Sequence, residues 1–181
     1  IDPEEFAALV NEGTILVSCM LVNNETGALN PVAQLAAAVR RKNPQVLIHC
    51  DAVQAFGKLE VDVRRLGVDL LSLSGHKIHA PKGIGALYIR KGVRISNYMH
   101  GGAQENKKRA GTENTAGIVG FGKAAELARI HLQEHIQHTS SLRDYLIQQV
   151  QEQIDHVYVN GSREHRHPGN ANLTFEFIEG E

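Results

Sequence analysis

Two apolar runs with a helix-like segment between them constrain this chain more than any other feature. The runs cover residues 14–22 (TILVSCMLV) and 45–51 (QVLIHCD), and their unbroken aliphatic character predicts strands buried on both faces of a parallel sheet. Between them, NPVAQLAAAVRRKNP has Asn30 as the expected helix cap and Pro31 at the first helical position. Strand, helix and strand in this order predict a βαβ unit with a right-handed crossover.

The rest of the chain extends this unit and then changes character. Residues 69–74 and 83–90 (DLLSLS and GIGALYIR) predict two further strands. After a polar, glycine-containing loop, apolar residues recur at helical spacing and predict a long amphipathic helix that is broken or capped again at the TSS of residues 139–141. HVYVNG and NANLTFEF then predict two short strands.

These elements together predict an α/β fold with a mostly parallel sheet and flanking helices, followed by part of a small α+β domain. Residues 1–112 are assigned to the large domain, and residues 113–181 to a connecting helix and part of the small domain. The 181 residues open within a helix and stop just after a strand, so we expect the chain to be a fragment of a longer enzyme.

Composition indicates an ordinary globular protein. The 19 basic and 20 acidic side chains nearly balance, which gives no electrostatic attraction toward nucleic acid or a membrane surface. Cys19 and Cys50 lie in apolar runs, where free cysteine behaves as a buried hydrophobe, and this predicts a reducing compartment. No apolar stretch reaches the about 18 residues that cross a bilayer. The chain is therefore expected to be cytoplasmic.

Polar residues with chemical potential follow the predicted strands. Asp51 ends one strand, and Lys77 follows another by three residues within SLSGHK. The carboxyl ends of strands in an open α/β sheet are where ligands bind. A partly desolvated lysine there is an amine nucleophile, and a carboxylate suits a protonated ring nitrogen. Ser74 and His76 offer donors for a phosphate, and Gln54 could meet a ring substituent. A solvated loop lysine and an aspartate that only caps the next segment remain the alternatives.

Two motif look-alikes are rejected. GIVGFGKA has the glycine spacing of a phosphate loop, but Ala124 replaces the hydroxyl that would bind magnesium and no strand precedes it. HLQEH has the spacing of an inverted zinc-protease motif, but its Glu134 and His135 fall on the polar side of a helix without a further acidic ligand helix. The segments are interpreted as helix packing and a solvated face, and no metal site is predicted.

Five blocks in a fixed order carry a family resemblance: VNNETG, HCDAVQAFGK, SLSGHK, PKGIGALYIR and RAGTENTAGIVGFGKAAELA. Together they resemble the cysteine desulfurases of the class V aminotransferase family, which are pyridoxal-phosphate enzymes of fold type I. The resemblance is strongest from about Thr14 to Ala128 and implies that L-cysteine is converted to L-alanine while sulfur passes to an enzyme persulfide.

The resemblance also implies roles for individual residues. Lys77 would carry the cofactor and later move the substrate's α-proton, while Asp51 would keep the pyridine nitrogen protonated. Gln54 would bond the ring oxygen, and Asn24 would lie beside cofactor and substrate carboxylate. The residues expected to bind the cofactor are Asn24, Asp51, Gln54, Ser74, His76, Lys77 and Thr112.

Partners follow from the same resemblance. Thr112 would reach the phosphate held by a second subunit, which implies a homodimer. The sulfur acceptor would be an iron-sulfur scaffold or a tRNA-thiolation protein. The catalytic cysteine and the arginine that binds the substrate carboxylate are expected outside these 181 residues. Three alternatives remain open. The chain could belong to a selenocysteine lyase or to a different fold-type I enzyme such as an aminotransferase, or it could be a non-catalytic fragment.

Overall fold

A four-stranded sheet forms the centre of the computed structural model, which describes residues 1–179. Residues 180 and 181, the end of the region predicted over 113–181, lie outside the described residues. The strands are adjacent in chain order, with the first three parallel and the fourth antiparallel to the third. They are β1 (Leu16–Met20), β2 (Leu47–Asp51), β3 (Leu70–Ser74) and β4 (Gly85–Ile89).

Six α-helices, one 3₁₀ helix and a second, two-stranded antiparallel sheet complete the described chain. No helix among residues 1–179 is both long and apolar enough to span a membrane. The remaining elements are α1 (Pro3–Ala8), α2 (Val32–Lys42), α3 (Val63–Leu66), a 3₁₀ helix (Gly75–Ile78), α4 (Gln104–Lys107), α5 (Thr115–Ile130), α6 (Leu132–Gln153), β5 (Val157–Val159) and β6 (Leu173–Phe175).

The start of α2 differs from the sequence prediction. The helix begins at Val32, Pro31 occupies the cap position, and no side chain caps it. Asn30 instead donates its side-chain amide to the carbonyl of Met20 at 2.8 Å. Asn30 therefore ties the start of the helix to the end of β1. A partly buried strand carbonyl is less accessible to water than a helix end at the surface, so it depends more on a donor from the protein.

The core lies on one face of the sheet. Ile48 and Cys50 of β2 are buried in one cluster with Val39 of α2. Their neighbour His49 is only half-buried, and its ring bridges the hydroxyls of Ser18 and Ser72, each at 2.7 Å. Burial thus alternates along β2, and the prediction of strands buried on both faces is wrong for the described residues.

A buried carboxylate joins the sheet to its surroundings. Asp69 is 6% exposed, accepts the backbone N–H of Ile48 at 2.9 Å, and accepts from Arg40 of α2 at 2.9 Å. Arg90, just after β4, lies 3.3 Å from its other oxygen. A buried charge requires such partners, and the group fixes α2 and β4 relative to β3.

The long helix is broken at His131 and not at residues 139–141. Thr139 lies inside α6, where its hydroxyl donates to the carbonyl of His135 at 2.7 Å, one turn earlier. Ser141 donates in the same way to His138. The hydroxyls therefore bond within the helix, as serine and threonine can do without ending it.

Candidate functional site

The carboxyl ends of the three parallel strands meet at one edge of the sheet. Met20 pairs with Asp51 in the β1–β2 register, and Asp51 pairs with Ser72 in the β2–β3 register. Asp51 and Ser74 therefore end two adjacent strands at this edge, and Asn24 lies in the turn after the third, as the βαβ prediction requires. The strand register therefore places residues that are far apart in sequence at the same edge of the sheet.

One carboxylate oxygen of Asp51 accepts a hydrogen bond from the backbone. It is half-buried, and its Oδ1 accepts the N–H of Val53 at 2.9 Å. The backbone then forms a tight turn in which Phe56 donates to the carbonyl of Ala52 at 2.8 Å. No basic side chain pairs with Asp51 among residues 1–179. A half-buried carboxylate in this state can accept a cationic N–H from a ligand.

The segment SGHK forms a compact turn on this edge. Ser74 ends β3, and its hydroxyl lies 2.8 Å from Nδ1 of His76. Lys77 is half-buried in the 3₁₀ helix that follows. Gly75 permits the turn, because a Cβ there would lie 2.7 Å from Cγ2 of Ile84. The turn therefore presents a hydroxyl, an imidazole and an amine within four consecutive residues.

Helix α5 packs against this 3₁₀ helix and against the turn that follows β2. Phe121 meets Phe56 edge to face with ring centroids 6.2 Å apart. A Cβ on Gly120 would lie 3.0 Å from Pro81, so the helix approaches the loop closely at that point. The GIVGFGKA segment lies inside α5, which confirms that it packs as a helix.

A cleft of about 470 Å³ opens between the turn and α5 and α6. Basic side chains surround an apolar floor, and they include Lys58, Lys77, His79, Lys123 and His135. Burial, and secondarily the charge of Lys77, lowers the pKa of the Lys58 amine. Of the predicted site residues, only Lys77 lines this cleft.

Lys58 was missed by the sequence reasoning. It closes the block HCDAVQAFGK, but its position seven residues after Asp51 gave no reason to place it beside Lys77. The short turn after β2 brings it there. The one sequence feature that could have indicated its position is that Lys58 directly follows the glycine at the end of this turn.

The other predicted residues are more accessible. Asn24 is exposed within a turn in which the Asn23 side chain accepts the N–H groups of Glu25 at 3.0 Å and Thr26 at 2.9 Å. Gln54 is half-buried in the turn after β2. Thr112 is exposed in the loop before α5, and the described residues do not bring it into contact with the other predicted site residues.

A segment between β5 and β6 also reaches the site region, which the sequence reasoning did not foresee. His167 is 9% exposed, and its Nδ1 accepts the N–H of Gly169 at 3.0 Å. Its Nε2 is buried and has no hydrogen-bond partner among the described residues. Burial, together with the nearby charges of Lys58, His135 and Arg143, lowers the pKa of His167 to about 4. The ring is therefore neutral at physiological pH.

Comparison with known proteins assigns the family. A model of the family described as aminotransferase class-V matches residues 1–181. The chain therefore belongs to the class-V aminotransferase family.

Within this family, the curated proteins that the chain matches include cysteine desulfurases. It is 49% identical over 181 residues to "Cysteine desulfurase IscS" of Dictyoglomus turgidum, covering 100% of this chain and 45% of that protein. The corresponding values for "Cysteine desulfurase IscS" of Methanosarcina thermophila are 48%, 100% and 44%. The chain thus spans about half the length of these relatives.

Solved structures agree with this assignment. A "NifS-like protein" superposes with a TM-score of 0.94 at 40% identity, covering 98% of this chain and 48% of that one. DndA from Streptomyces lividans superposes with a TM-score of 0.87 at 35% identity, with coverage of 99% and 51%. The predicted fold class and the predicted resemblance to cysteine desulfurases are both confirmed.

Proposed function

We propose that this chain forms the pyridoxal-phosphate-binding core of a cysteine desulfurase, which converts L-cysteine to L-alanine and passes the sulfur to an enzyme persulfide. The observation that carries the proposal is the convergence of Asp51, the Ser74–His76 pair and Lys77 at one sheet edge. The cysteine desulfurases among the relatives support the choice of substrate.

The donor set at this edge fits pyridoxal phosphate. Asp51 has no basic partner among the described residues, so its carboxylate is available to a protonated pyridine nitrogen. The hydroxyl of Ser74 and the imidazole of His76 are neighbours that can donate to a phosphate. Gln54 is in the turn directly after Asp51, within the same block of chain, and would bond the ring oxygen.

Bound pyridoxal phosphate supplies an electron sink for the charge that develops at the α-carbon of an amino acid. Lys77 would hold the cofactor through its ε-amine and would move the proton at that carbon. Asn24 would orient the substrate carboxylate from the turn after β1.

Assembly and setting are part of the proposal. Exposed Thr112 would reach the phosphate held by a second copy in a homodimer. The sulfur would go to an iron-sulfur scaffold or a tRNA-thiolation protein in the cytoplasm. The cysteine desulfurases among the relatives support the link to sulfur transfer from cysteine.

The test uses the full-length protein and a matched pair of lysine variants. Lys77→Ala should abolish covalent attachment of the cofactor, whereas Lys82→Ala, at an exposed lysine five residues later, should retain it. Borohydride fixation followed by peptide mass spectrometry locates the attachment. Fixation on any lysine other than Lys77 would contradict the assignment.

Product analysis distinguishes the reactions. The proposal expects sulfide from cysteine in the presence of a reductant, together with alanine. Selenide release with no activity on cysteine would identify a selenocysteine lyase, and a keto acid product would identify an aminotransferase.

A further inference from the structure

A buried arginine links the segment between β5 and β6 to the turn that carries Asn24. Arg166 is 5% exposed, and no carboxylate pairs with it among residues 1–179. Burial, followed by the charges of Arg143 and Arg163, lowers the pKa of its guanidinium. Burying a cation without a counter-charge costs free energy. The hydrogen bonds that offset this cost therefore show which parts of the chain Arg166 connects.

Among residues 1–179, the guanidinium binds only neutral oxygens, and these come from three separate stretches of chain. Nη1 donates to the carbonyl of Thr26 at 2.9 Å and to the side chain of Asn170 at 3.0 Å. Nε donates to the carbonyl of Ser162 at 2.9 Å, and Nη2 donates to the carbonyl of Asn160. A planar fork with five N–H groups can serve these directions at once, whereas a lysine ammonium has three donors and no fork.

Further contacts fasten the same turn. The side chain of Asn170 donates to the carbonyl of Glu25 at 3.0 Å, and the backbone N–H of His167 donates to the carbonyl of Gly27 at 2.8 Å. With Arg166 on Thr26, three consecutive carbonyls of the turn, at residues 25–27, accept from one segment. A Cβ on Gly27 would lie 2.4 Å from the Asn170 side chain, so the fit is tight.

The hydrogen bonds from Arg166, His167 and Asn170 fix the backbone around Asn24 and involve none of its side-chain atoms. Asn24 is exposed, and its side chain makes no hydrogen bond among the described residues. We propose that Arg166 is a positioning residue, which holds the turn of residues 23–27 so that the Asn24 amide stays oriented toward the substrate. This inference rests on the proposed function only in the role given to Asn24.

The test compares two arginine-to-lysine variants of the full-length protein. Arg166→Lys removes the fork, and Arg163→Lys makes the same change at an exposed arginine that bonds Gln151 and does not touch the turn. Hydrogen exchange by mass spectrometry should show at least about tenfold faster exchange of the peptide covering residues 21–30 in Arg166→Lys, which corresponds to about 1.4 kcal/mol. Arg163→Lys should leave that peptide unchanged.

A kinetic cycle then separates positioning from general destabilisation. Arg166→Lys should lower kcat/KM for cysteine on the order of 10- to 100-fold, mainly through KM, because displacement of an orienting group weakens substrate alignment. In the double variant with Asn24→Ala, the loss should be no larger than in Asn24→Ala alone. Losses that multiply, or an exchange rate of residues 21–30 equal to that of the wild type, would overturn the proposal.

A substitute variant and a cofactor-free measurement separate failure of the Arg166 proposal from failure of the proposed function. If Arg166→Lys does not fold, Asn170→Ala replaces it, because it removes the bond to Glu25 and one acceptor of Arg166 without adding bulk. If the wild-type protein releases no sulfide from cysteine, the proposed function fails. The exchange experiment still decides whether Arg166 orders the turn, since it needs neither cofactor nor substrate.

Discussion

Adding one methyl group at Gly75 should measurably destabilise the turn that carries Lys77. A Cβ at this position would lie 2.7 Å from Cγ2 of Ile84, 3.0 Å from the Ile84 carbonyl oxygen and 3.2 Å from Cβ of Ala80. Carbon atoms pack at about 3.5 to 4.0 Å, so Ile84 must retreat by most of an ångström.

The backbone leaves little room for that retreat. The N–H of Gly75 donates to Ile84 at 2.8 Å, and the carbonyl of Gly75 accepts from Ala80 at 3.1 Å. Overpacking in such a place costs about 1 to 3 kcal/mol. Because about 1.4 kcal/mol is a factor of ten in an equilibrium constant, Gly75→Ala should shift the unfolding equilibrium by about 5- to 150-fold.

Denaturant unfolding of the full-length apoprotein measures the effect without a contribution from bound cofactor. Gly122→Ala is the matched control, because apart from the local helix backbone no atom of the described residues lies within 4 Å of a Cβ there. In the middle of α5, this change should be neutral or stabilising by up to about 1 kcal/mol. Equal midpoints for the Gly75→Ala and wild-type proteins would refute the packing argument.

A second variant locates the strain. Ile84→Ala removes the Cγ2 atom that the new methyl group would strike, so its combination with Gly75→Ala should cost less than the sum of the two single changes. Additive costs would mean that the contact with Ile84 is not the cause of the destabilisation.

Three further predictions concern burial and charge. The pKa of His167 is lowered from 6.5 to about 4, so the unfolded chain binds more protons between these values and stability should fall as pH drops through this window. His167→Asn, which keeps an acceptor for Gly169, should remove this component, and equal pH slopes of the denaturation midpoint would argue against it. Arg40→Ala should cost about 1 to 3 kcal/mol in unfolding free energy because a buried carboxylate loses one of its partners, while Arg41→Ala, on a surface ion pair, should cost under about 1 kcal/mol. Burial, with smaller contributions from Cys19 and Asp51, raises the pKa of the fully buried Cys50 to about 12, so iodoacetamide should label it only on unfolding, and rapid labelling of the native protein would contradict its burial.

Local patterns predicted much of the sheet and the main site segments. The aliphatic run of residues 45–51 places Asp51 at a strand end, and the βαβ order then fixes which edge that is. Asp2 is a residue type that favours helix caps, and at the start of α1 it accepts the N–H groups of Glu4 and Glu5. These features depend on neighbours within a few residues, so periodicity and capping rules are sufficient to find them.

The sequence by itself therefore determined the parallel strands, their carboxyl edge, and the polar groups of SLSGHK that lie on it. Tertiary structure alone decided that Lys58 lies near Lys77 and that Arg166 fastens the turn of residues 23–27. The bond from Arg166 to Thr26 joins residues 140 positions apart, and no local propensity encodes such a pairing. The bond forms only after the sheet and the segment before β6 have packed together. Packing excludes water from the guanidinium, so its N–H groups must be satisfied by carbonyls that are distant in sequence.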